Sequence, residues 1–316
     1  MNVYLGLDVG GTKVAVGVVT GAGEVLSTLR QDTAACRSGG DPLREIIHLG
    51  RAALAQVDGA ALEGVGIALP GPVNRDGITM RAAPTIPELQ EVSLRGPLTT
   101  AFGVPAAGDN DANACALAEA RFGAGRGGRL VAYITISTGI GGGIVGEGRV
   151  LRGVTGAAGE FGHQVLLPAG GPPCDCGNTG CLEALASGRG IARRAALAFA
   201  AEPAPGGPDH GQWTAERVAE RARGGDMRAR DVWSETALYL GLGISNIINL
   251  FDPDIIILGG GVAVGAADLL HDPIREVVRT RCMPSLVRTV EIRIAELRGH
   301  TGVVGAACLA MEMQHL

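Results

Sequence analysis

The stretch from Val3 to Val19, VYLGLDVGGTKVAVGVV, decides the fold of this chain. Its two apolar runs, Val3–Val9 and Lys13–Val19, have the valine-rich composition of buried strands, and Gly10-Gly11 separates them. A third run of this kind, Glu24–Arg30, follows a second glycine-containing turn. We therefore predict three consecutive β-strands at the start of the chain.

A similar unit recurs near residue 138. Leu130–Ser137 is a predicted strand, a glycine-rich turn follows it, and Gly143–Gly146 begins the next strand. The strand, glycine turn and strand near residue 8 thus have a counterpart later in the chain. This weak internal repeat predicts two domains of related topology.

The other predicted elements are those of an α/β protein. They comprise a helix over Pro42–Val57, strands over Val65–Leu69 and Val104–Asp109, a helix from Ala112 to about Phe122, helices from Ala215 and from Met227 onward, a buried strand over Asp254–Leu258, and a helix from Gly302 to about Met313. The proline- and glycine-rich stretch Glu202–Gly211 is predicted to be a flexible surface insertion.

The composition limits the possible functions. The 316 residues are enough for two domains, and 51 glycines with only 19% charged residues fit an α/β enzyme with many tight turns. A net charge of −5 offers no basic surface for nucleic acid, and no apolar run is long enough to span a bilayer. Seven cysteines, an odd number, argue against a secreted disulfide framework. We expect a soluble cytoplasmic protein.

Residues 160–183, called the zinc loop below, carry the most specific chemical signal. Three cysteines and one histidine supply the ligands that tetrahedral zinc prefers, and the glycines between them permit tight turns. Four protein ligands close such a site, so we predict a structural zinc ion rather than a hydrolytic one. The predicted ligands are His163, Cys174, Cys176 and Cys181.

Two carboxylates, Glu160 and Glu183, lie at the ends of the zinc loop. Since the metal site is already complete without them, we predict that they form, with the edge of His163, a rigid wall for a polyhydroxylated ligand. The alternative is a loop of ordinary cysteine and histidine residues, but so dense a ligand pattern is rare in such loops.

Three glycine-rich turns, at 8–13, 137–143 and 259–261, indicate phosphate binding. Glycines let backbone N–H groups approach phosphate oxygens, Thr12 and Lys13 add side-chain donors, and Asp8 is placed to hold Mg²⁺ through water. None of the turns has the P-loop pattern. A plain hairpin or βα turn explains any one of them equally well, but three at strand ends favour a nucleotide held between two domains.

The predicted junction of a strand and a helix at Asn110-Asp111 is a usual place for catalytic groups in α/β proteins. Helix capping by Asn110, Asp111 or Asp109 is the simpler interpretation, and it is compatible with catalysis. In phosphoryl transfer to a sugar hydroxyl, one carboxylate orients the hydroxyl and accepts its proton late. We assign that role to Asp111, with Asn110 bonding to neighbouring hydroxyls.

Taken together, these motifs resemble those of the ROK family of repressors, open reading frames and kinases. The resemblance covers nearly the whole chain, because the motifs occur in the family's order from residue 8 to residue 261. They are Asp8-x-Gly-Gly-Thr-Lys13, Leu69-Pro-Gly-Pro-Val73, Asn110-Asp-Ala-Asn113, Ser137-Thr-Gly-Ile-Gly-Gly-Gly143, Glu160-x-Gly-His163, Cys174-x-Cys-Gly-x-x-Gly-Cys181-x-Glu183 and Leu258-Gly-Gly-Gly261.

The resemblance implies an α/β fold of the actin-like, hexokinase type, in which two RNase H-like domains flank a cleft that binds ATP and sugar. The small N-terminal domain would comprise residues 1–110 and about 300–316. The larger domain would comprise residues 111–299 and include the zinc loop. The implied activity is ATP-dependent phosphorylation of a hexose at its 6-hydroxyl, and the expected assembly is a homodimer or homotetramer.

The resemblance also assigns roles to residues, with Asp111 as the catalytic base. The implied sugar-binding residues are Gly71, Asn110, Asp111, Glu160, His163 and Glu183. The residues implied around Mg-ATP are Asp8, Gly10, Gly11, Thr12, Lys13, Thr138, Gly139, Gly259, Gly260 and Gly261. His163 would use one ring nitrogen for zinc and the other for a sugar oxygen.

One stretch departs from the family pattern. Family glucokinases have a Pro-Asn-(Leu/Ile)-x-x-Trp motif that helps to line the sugar pocket, whereas this chain has Pro84-Thr-Ile-Pro-Glu-Leu89. Glucose is the first expected substrate, and N-acetylglucosamine, N-acetylmannosamine, another amino sugar or fructose are the alternatives.

Two other classes of protein remain to be weighed. A sugar-responsive repressor of the family would carry a DNA-binding module ahead of the strand that precedes the first glycine-rich turn. Here that strand begins at residue 3. Such regulators also often lose parts of the ATP site, whereas Asp8, Thr12, Lys13 and Thr138 are all present here. A catalytically silent sugar-binding protein would not need Asp111. We therefore expect an enzyme with no nucleic-acid partner.

Overall fold

A computed structural model of the protein describes residues 1–74, 76–81, 85–200 and 213–313. The predicted insertion Glu202–Gly211 lies outside the described residues. The chain divides into two compact units. The first contains Met1–Gly127, Gly143–Gly159 and Glu296–Leu316, and the second contains Gly128–Gly142 and Glu160–Ala295.

The three predicted strands at the start of the chain are present, and helices and strands alternate after them. In order, the elements up to residue 127 are β1 (Asn2–Val9), β2 (Lys13–Thr20), β3 (Val25–Asp32), α1 (Thr33–Arg37), α2 (Pro42–Leu54), β4 (Ala61–Leu69), β5 (Val73–Asn74), β6 (Thr79–Met80), a 3-10 helix (Pro87–Leu89), α3 (Arg95–Phe102), β7 (Ala106–Asn110) and α4 (Asp111–Phe122).

The later elements repeat the strand, glycine turn and strand of the beginning. They are β8 (Leu130–Ile136), β9 (Ile140–Gly146), β10 (Arg149–Val150), a 3-10 helix (Phe161–His163), α5 (Leu182–Ala186), α6 (Gly188–Ala198), α7 (Ala215–Arg223), α8 (Met227–Phe251), β11 (Ile255–Gly259), α9 (Gly260–Gly265), α10 (Ala267–Arg281), β12 (Glu291–Ile294), a 3-10 helix (Arg298–His300) and α11 (Thr301–Met313). Strand β9 begins at Ile140, earlier than the predicted Gly143, so it includes most of the glycine-rich turn.

The first unit is built on a sheet of order β3-β2-β1-β4-β7. Strand β1 runs antiparallel to β2 and parallel to β4, and β4 runs parallel to β7. The apolar residues of β1 are buried because helices cover the sheet: α2 and α11 both pack against this strand. The continuous valine and leucine pattern of the sequence is the pattern of such a covered strand.

Helix α11, which the sequence predicted, packs on β1 and β4, and two glycines explain how closely it approaches. A β-carbon on Gly6 would lie 2.0 Å from the carbonyl oxygen of Val303, and one on Gly66 would lie 1.6 Å from that of Ala306. Helix α4 packs on α11 as well, and both belong to the first unit. The expected larger domain included α4, so the compact unit and the expected domain differ in extent.

The other five-stranded sheet has the order β10-β9-β8-β11-β12, in which β11 runs parallel to both β8 and β12. The whole of β11 is buried, as predicted for Asp254–Leu258. In the second unit, the long helix α8 packs against α10, α7, α6 and α5. Among the described residues, no helix has both the length and the apolar character that crossing a bilayer would need.

Candidate active site

The parallel strands β1, β4 and β7 bring several of the predicted residues to one edge of the first sheet. Asp8 pairs in register with Ala68, and Leu69 pairs with Asn110. The carboxyl ends of the three strands therefore lie side by side, which is the edge where α/β proteins bind ligands. Asp8, the loop after Leu69 and the Asn110-Asp111 pair all occur at this edge.

The Asp8 side chain is partly buried at the end of β1. Burial, together with the nearby charge of Asp111 and against the opposing charge of Arg30, raises the pKa of Asp8 to about 7. The first turn of α11 contributes to this enclosure, because Gly302 lies directly against the carboxylate. Two carboxylates that repel each other inside a protein favour a cation between or beside them. The chemistry of this pair fits Mg²⁺, which binds carboxylate oxygen and retains several waters.

The glycine turn between β1 and β2 is a tight hairpin that leaves its polar side chains exposed. The Gly10 N–H donates to the carbonyl oxygen of Lys13 at 2.9 Å, and the Thr33 hydroxyl donates to the carbonyl oxygen of Gly10 at 2.8 Å. Thr12 and Lys13 are both exposed. Lys13 is the only lysine of the chain, and its ammonium group forms no salt bridge with another described residue. The hairpin therefore presents one unpaired cation beside its backbone donors.

Asn110 is the residue that caps α4. Its side-chain oxygen accepts hydrogen bonds from the backbone N–H of Ala112 at 2.9 Å and of Asn113 at 3.3 Å. Its amide nitrogen donates to the carbonyl oxygen of Gly71 at 3.1 Å, and Gly71 adopts a φ of 90° that favours glycine. Of the three capping candidates in the sequence, the structure selects Asn110. Among the described residues this amide donates only to Gly71, so its second N–H can donate to a ligand.

In the second unit, the parallel strands β8 and β11 bring together the other two glycine turns. Thr135 pairs in register with Gly259, so the turn at Thr138-Gly139 and the turn at Gly260-Gly261 follow neighbouring strand ends. Gly260 has a φ of 85°, and a β-carbon there would lie 2.3 Å from the carbonyl oxygen of Ile136. Only glycine fits this position, which explains part of the Gly259–Gly261 run.

Glu183 lies against the Thr138-Gly139 turn. Its Oε2 accepts a hydrogen bond from the backbone N–H of Ile140 at 2.8 Å, and its other oxygen is 3.4 Å from Arg189. Arg189 also contacts Asp175 of the zinc loop at 2.5 Å. Arg189 was not predicted from the sequence, since a single arginine after a helix start carries no distinctive spacing. It links Asp175, within the zinc loop, to Glu183 at the end of that loop.

The four predicted zinc ligands come together, with all their ligand atoms within 4.8 Å of one another. Tetrahedral zinc with bonds of normal length separates two sulfur ligands by roughly 3.8 Å, and a sulfur from a nitrogen ligand by roughly 3.6 Å. The Sγ atoms of Cys176 and Cys181 are 3.7 Å apart, and Cys174 Sγ is 3.6 Å from His163 Nδ1. The donor set and its spacing therefore fit a tetrahedral zinc ion.

The two ring nitrogens of His163 face different partners. Nδ1 faces the cysteine cluster, whereas Nε2 is 3.8 Å from Oε2 of Glu160. The short 3-10 helix Phe161–His163 directly follows Glu160 and ends at His163. It packs against α5, the helix that contains Glu183. A β-carbon on Gly162 would lie 2.1 Å from the carbonyl oxygen of Ile140, so the glycine lets this helix approach β9.

A cavity of about 240 Å³ lies between α7, α8 and α9 in the second unit. Its wall includes Ala219, Trp233 and Val262, and it opens beside Gly261 of the third glycine turn. Arg223 ties α7 to the α9 end of this wall by donating to the carbonyl oxygen of Gly265 at 2.8 Å. Sequence patterns did not identify this cavity, because its residues come from three separate helices.

The stretch that departs from the family pattern packs in the first unit. Pro84 lies outside the described residues, whereas Ile86 and Leu89 are buried in the core. Thr85 is close to Gly11, whose β-carbon would lie 3.0 Å from the Thr85 methyl group. The Thr85 hydroxyl is buried and has no hydrogen-bond partner among the described residues.

Comparison with known proteins agrees with this geometry. The family model described as "ROK family" matches residues 4–313. The two mixed α/β sheets, with glycine-rich turns at the strand ends, are those of the actin-like, hexokinase-type fold. The chain belongs to the ROK family.

Three relatives illustrate the similarity. A glucokinase of Halalkalibacterium halodurans is 36% identical over 99% of this chain and 96% of its own length. A ROK hexokinase structure from Thermus thermophilus has a TM-score of 0.84 at 36% identity, covering 99% of this chain and 100% of that one. A ROK family glucokinase from Streptomyces griseus, solved with glucose and AMPPNP, has a TM-score of 0.81 at 37% identity, covering 98% and 99%.

Proposed function

We propose that this protein is an ATP-dependent glucokinase that phosphorylates the 6-hydroxyl of glucose. The observation that carries the proposal is that Asp8 and the Asn110-Asp111 pair lie at one edge of the first sheet, at the carboxyl ends of parallel strands. Burial and the charge of Asp111 raise the pKa of Asp8 there. The names and full-length similarity of the glucokinase and hexokinase relatives support the same activity. An amino sugar is the second candidate substrate, since the stretch at Thr85 differs from the family's glucose-pocket motif.

In the proposed reaction, Asp111 acts on the sugar hydroxyl. Its carboxylate accepts a hydrogen bond from the hydroxyl, orients the oxygen toward the γ-phosphate and takes the proton late in the transfer. Asn110 fixes the start of α4, so the position of Asp111 depends on the capped helix rather than on a mobile loop. The second amide N–H of Asn110 is assigned to a neighbouring sugar oxygen.

The phosphates are assigned to the glycine turns. Asp8 would hold Mg²⁺ through water, and the ion would neutralise charge on the phosphate oxygens. Lys13, as the exposed and unpaired cation, is assigned to a phosphate oxygen, with the Thr12 hydroxyl as a further donor. The turns at 138–139 and 259–261 are assigned to the rest of the nucleotide.

The cavity beside Gly261 is assigned to the adenine base. Its volume of about 240 Å³ is large enough for a small aromatic heterocycle, and its wall combines the apolar Ala219, Val262 and Trp233 with the charged Arg223. A base in this cavity would place its ribose and phosphates toward the glycine turn. This assignment adds nucleotide-binding residues that the sequence did not indicate.

The sugar wall is assigned to Glu160, His163 and Glu183. Zinc on Nδ1 of His163 would fix the tautomer so that Nε2 carries the hydrogen and donates to a sugar oxygen. The proposed metal is structural, because four protein ligands leave no open position. Thiolate ligands of this kind persist in a reducing cytoplasm, which is the proposed location. A homodimer or homotetramer is the proposed assembly.

The test is an assay of ADP release with ATP, Mg²⁺ and a panel of hexoses and hexosamines. We expect glucose to give the highest kcat/KM. The Asp111→Ala variant should lose turnover by roughly 10²- to 10⁴-fold while still binding glucose, since it removes the base and leaves the sugar wall. If a hexosamine gives a higher kcat/KM than glucose, that hexosamine is the substrate and the assignment to glucose is wrong. Near-normal turnover by the variant would remove Asp111 from the catalytic role.

A further inference from the structure

A buried ionic cluster lies directly behind the catalytic segment in the first unit. Oδ2 of Asp109, the residue before Asn110, accepts a hydrogen bond from Nε of Arg152 at 2.5 Å. On its other side, Nη2 of Arg152 donates to Oε2 of Glu312 at 2.6 Å. The side chains of Asp109, Arg152 and Glu312 are only 3%, 14% and 9% exposed. Three separate elements of the unit thus meet at one guanidinium group.

The second oxygen of Asp109 holds the residues on both sides of Asp111. Oδ1 accepts the backbone N–H of Asn110 at 2.8 Å and the side-chain amide of Asn113 at 3.0 Å. Asp111 lies between these two donors in the chain. The Asp109 carboxylate therefore connects the Arg152 guanidinium to the backbone turn from which Asp111 extends.

The cluster is electrostatically dependent on Arg152. Burial alone would lower the pKa of this guanidinium, but Glu312 and Asp109 outweigh burial and raise it. One positive charge thus compensates two buried carboxylates. When one member of such a cluster is removed, the remaining buried charge has to move toward water or take up a proton. Asp109 cannot move without releasing Asn110 and Asn113.

Arg152 also forms a backbone hydrogen bond across the segment 152–158, which precedes Glu160 in the chain. Its carbonyl oxygen accepts a hydrogen bond from the N–H of Ala158 at 3.1 Å. Between them the chain contains Gly153 and Gly156, both with positive φ, so the backbone of this segment has few side chains to restrain it. The anchored Arg152 is therefore a fixed point at the start of the segment.

We propose that Arg152 is a positioning residue for phosphoryl transfer, which acts through Asp109 on the placement of Asp111, with Glu312 completing the charge balance. The inference rests on the proposed kinase function. Its consequence is specific: loss of Arg152 should impair the chemical step more than substrate binding, because Asp111 supplies alignment at the reacting hydroxyl.

The test compares Arg152→Met and Arg152→Lys with wild type and with the control Arg279→Met. Arg279 forms an exposed pair with Glu276 at 2.6 Å on α10, so its replacement should leave kcat unchanged. For Arg152→Met we expect kcat to fall on the order of 10- to 100-fold, as for a small misplacement of a catalytic group, while both KM values change less than about threefold. Lysine keeps the charge but cannot span both carboxylates, so Arg152→Lys should be intermediate.

A double-mutant cycle isolates the route through Asp109. If Arg152 acts through this carboxylate, Asp109→Asn combined with Arg152→Met should lower kcat no further than the larger single effect. If the decreases in kcat caused by the two substitutions instead multiply in the double variant, Arg152 does not act through Asp109. Should Arg152→Met fail to fold, Glu312→Gln, which keeps shape and removes one charge, should still lower kcat without changing KM.

The outcomes separate the inference from the function on which it rests. If wild type turns over no sugar, the proposed function fails and this inference fails with it. If wild type is active but folded Arg152→Met, or folded Glu312→Gln in its place, retains kcat, only the inference is overturned. The folded fraction of each Arg152 variant is measured by thermal melting. If kcat falls only in proportion to that fraction, Arg152 has a structural role alone and the inference is overturned.

Discussion

A β-carbon on Gly302 would lie 2.1 Å from Oδ2 of Asp8, so the first turn of α11 touches the partly buried carboxylate at the end of β1. No side chain at residue 302 can coexist with the present position of Asp8. The C-terminal helix is thus part of the wall around the proposed magnesium ligand, although it is almost 300 residues away in the sequence.

Gly302→Ala should therefore displace Asp8 and impair the use of Mg-ATP. We expect kcat/KM for ATP to fall by roughly 10- to 100-fold in steady-state kinetics, because the carboxylate cannot keep its position beside the added methyl group. Gly21→Ala is the matched control, since no described residue other than its chain neighbours lies within 4 Å of a β-carbon there. Equal kinetics for the two variants would contradict the contact between α11 and Asp8.

The pKa of Asp8, about 7, predicts a pH dependence of nucleotide use. Magnesium binds the ionised carboxylate, so kcat/KM for Mg-ATP should rise as the pH increases through about 7. Asp8→Asn should be inactive at every pH. A flat profile between pH 6 and pH 8 for wild type would show that Asp8 is ionised throughout this range.

The raised pKa of Asp8 also predicts how Asp8→Asn changes the free energy of unfolding. The folded pKa lies above the ordinary value of 3.8, so the folded state binds the Asp8 proton more tightly than the unfolded state does. The resulting loss of stability is absent below about pH 3.8, grows as the pH rises and is complete above about pH 7. Without magnesium, Asp8→Asn should stabilise the protein by about 1–3 kcal/mol at pH 8, and by less at pH 5. Denaturant unfolding at both pH values measures this difference.

Removal of zinc should weaken sugar binding. Cys176→Ser, or a strong chelator, should raise KM for glucose and lower the melting temperature, because His163 loses the bond that orients its ring. Cys282→Ser is the control, since this thiol donates to the carbonyl oxygen of Ser245 outside the zinc loop and serine can replace that bond. Metal analysis should find one zinc per chain in wild type. A metal-free protein with normal kinetics would refute the structural role of zinc.

Lys13 allows a chemical test of the proposed phosphate binding by the hairpin between β1 and β2, because the chain has no other lysine. An amine-selective acylating reagent can modify only Lys13 and the N-terminal amine. We expect acylation of Lys13 to abolish turnover and ATP to protect against it. Lys13→Arg should also lose activity, since a planar guanidinium does not replace a compact ammonium group at a phosphate. Full activity after complete acylation would exclude Lys13 from the ATP site.

The motifs whose residues are near each other in sequence were predictable. The strands β1 and β2 follow from apolar runs around Gly10-Gly11, and the four zinc ligands follow from their close spacing. In both cases the interacting atoms are brought together by a short turn, so local chain geometry is enough to indicate the structure.

The residues that support these motifs were not predictable in the same way. Arg152 and Glu312 are ordinary charged residues in the sequence, and nothing in their spacing connects them to Asp109. Trp233 and Val262 likewise have the pattern of core residues. Their roles depend on which helices and strands become neighbours, and this depends on packing over the whole unit.

The sequence by itself determined the β-strand hairpin, the glycine turns and the cluster of one histidine and three cysteines, because each depends on residues close together in the chain. Only the tertiary structure decided that Asn110 caps α4, that Gly302 encloses Asp8 and that Arg152 supports Asp109. The physical reason is burial: a charge removed from water must be balanced by whichever residue the fold brings close, however distant that residue is in the chain.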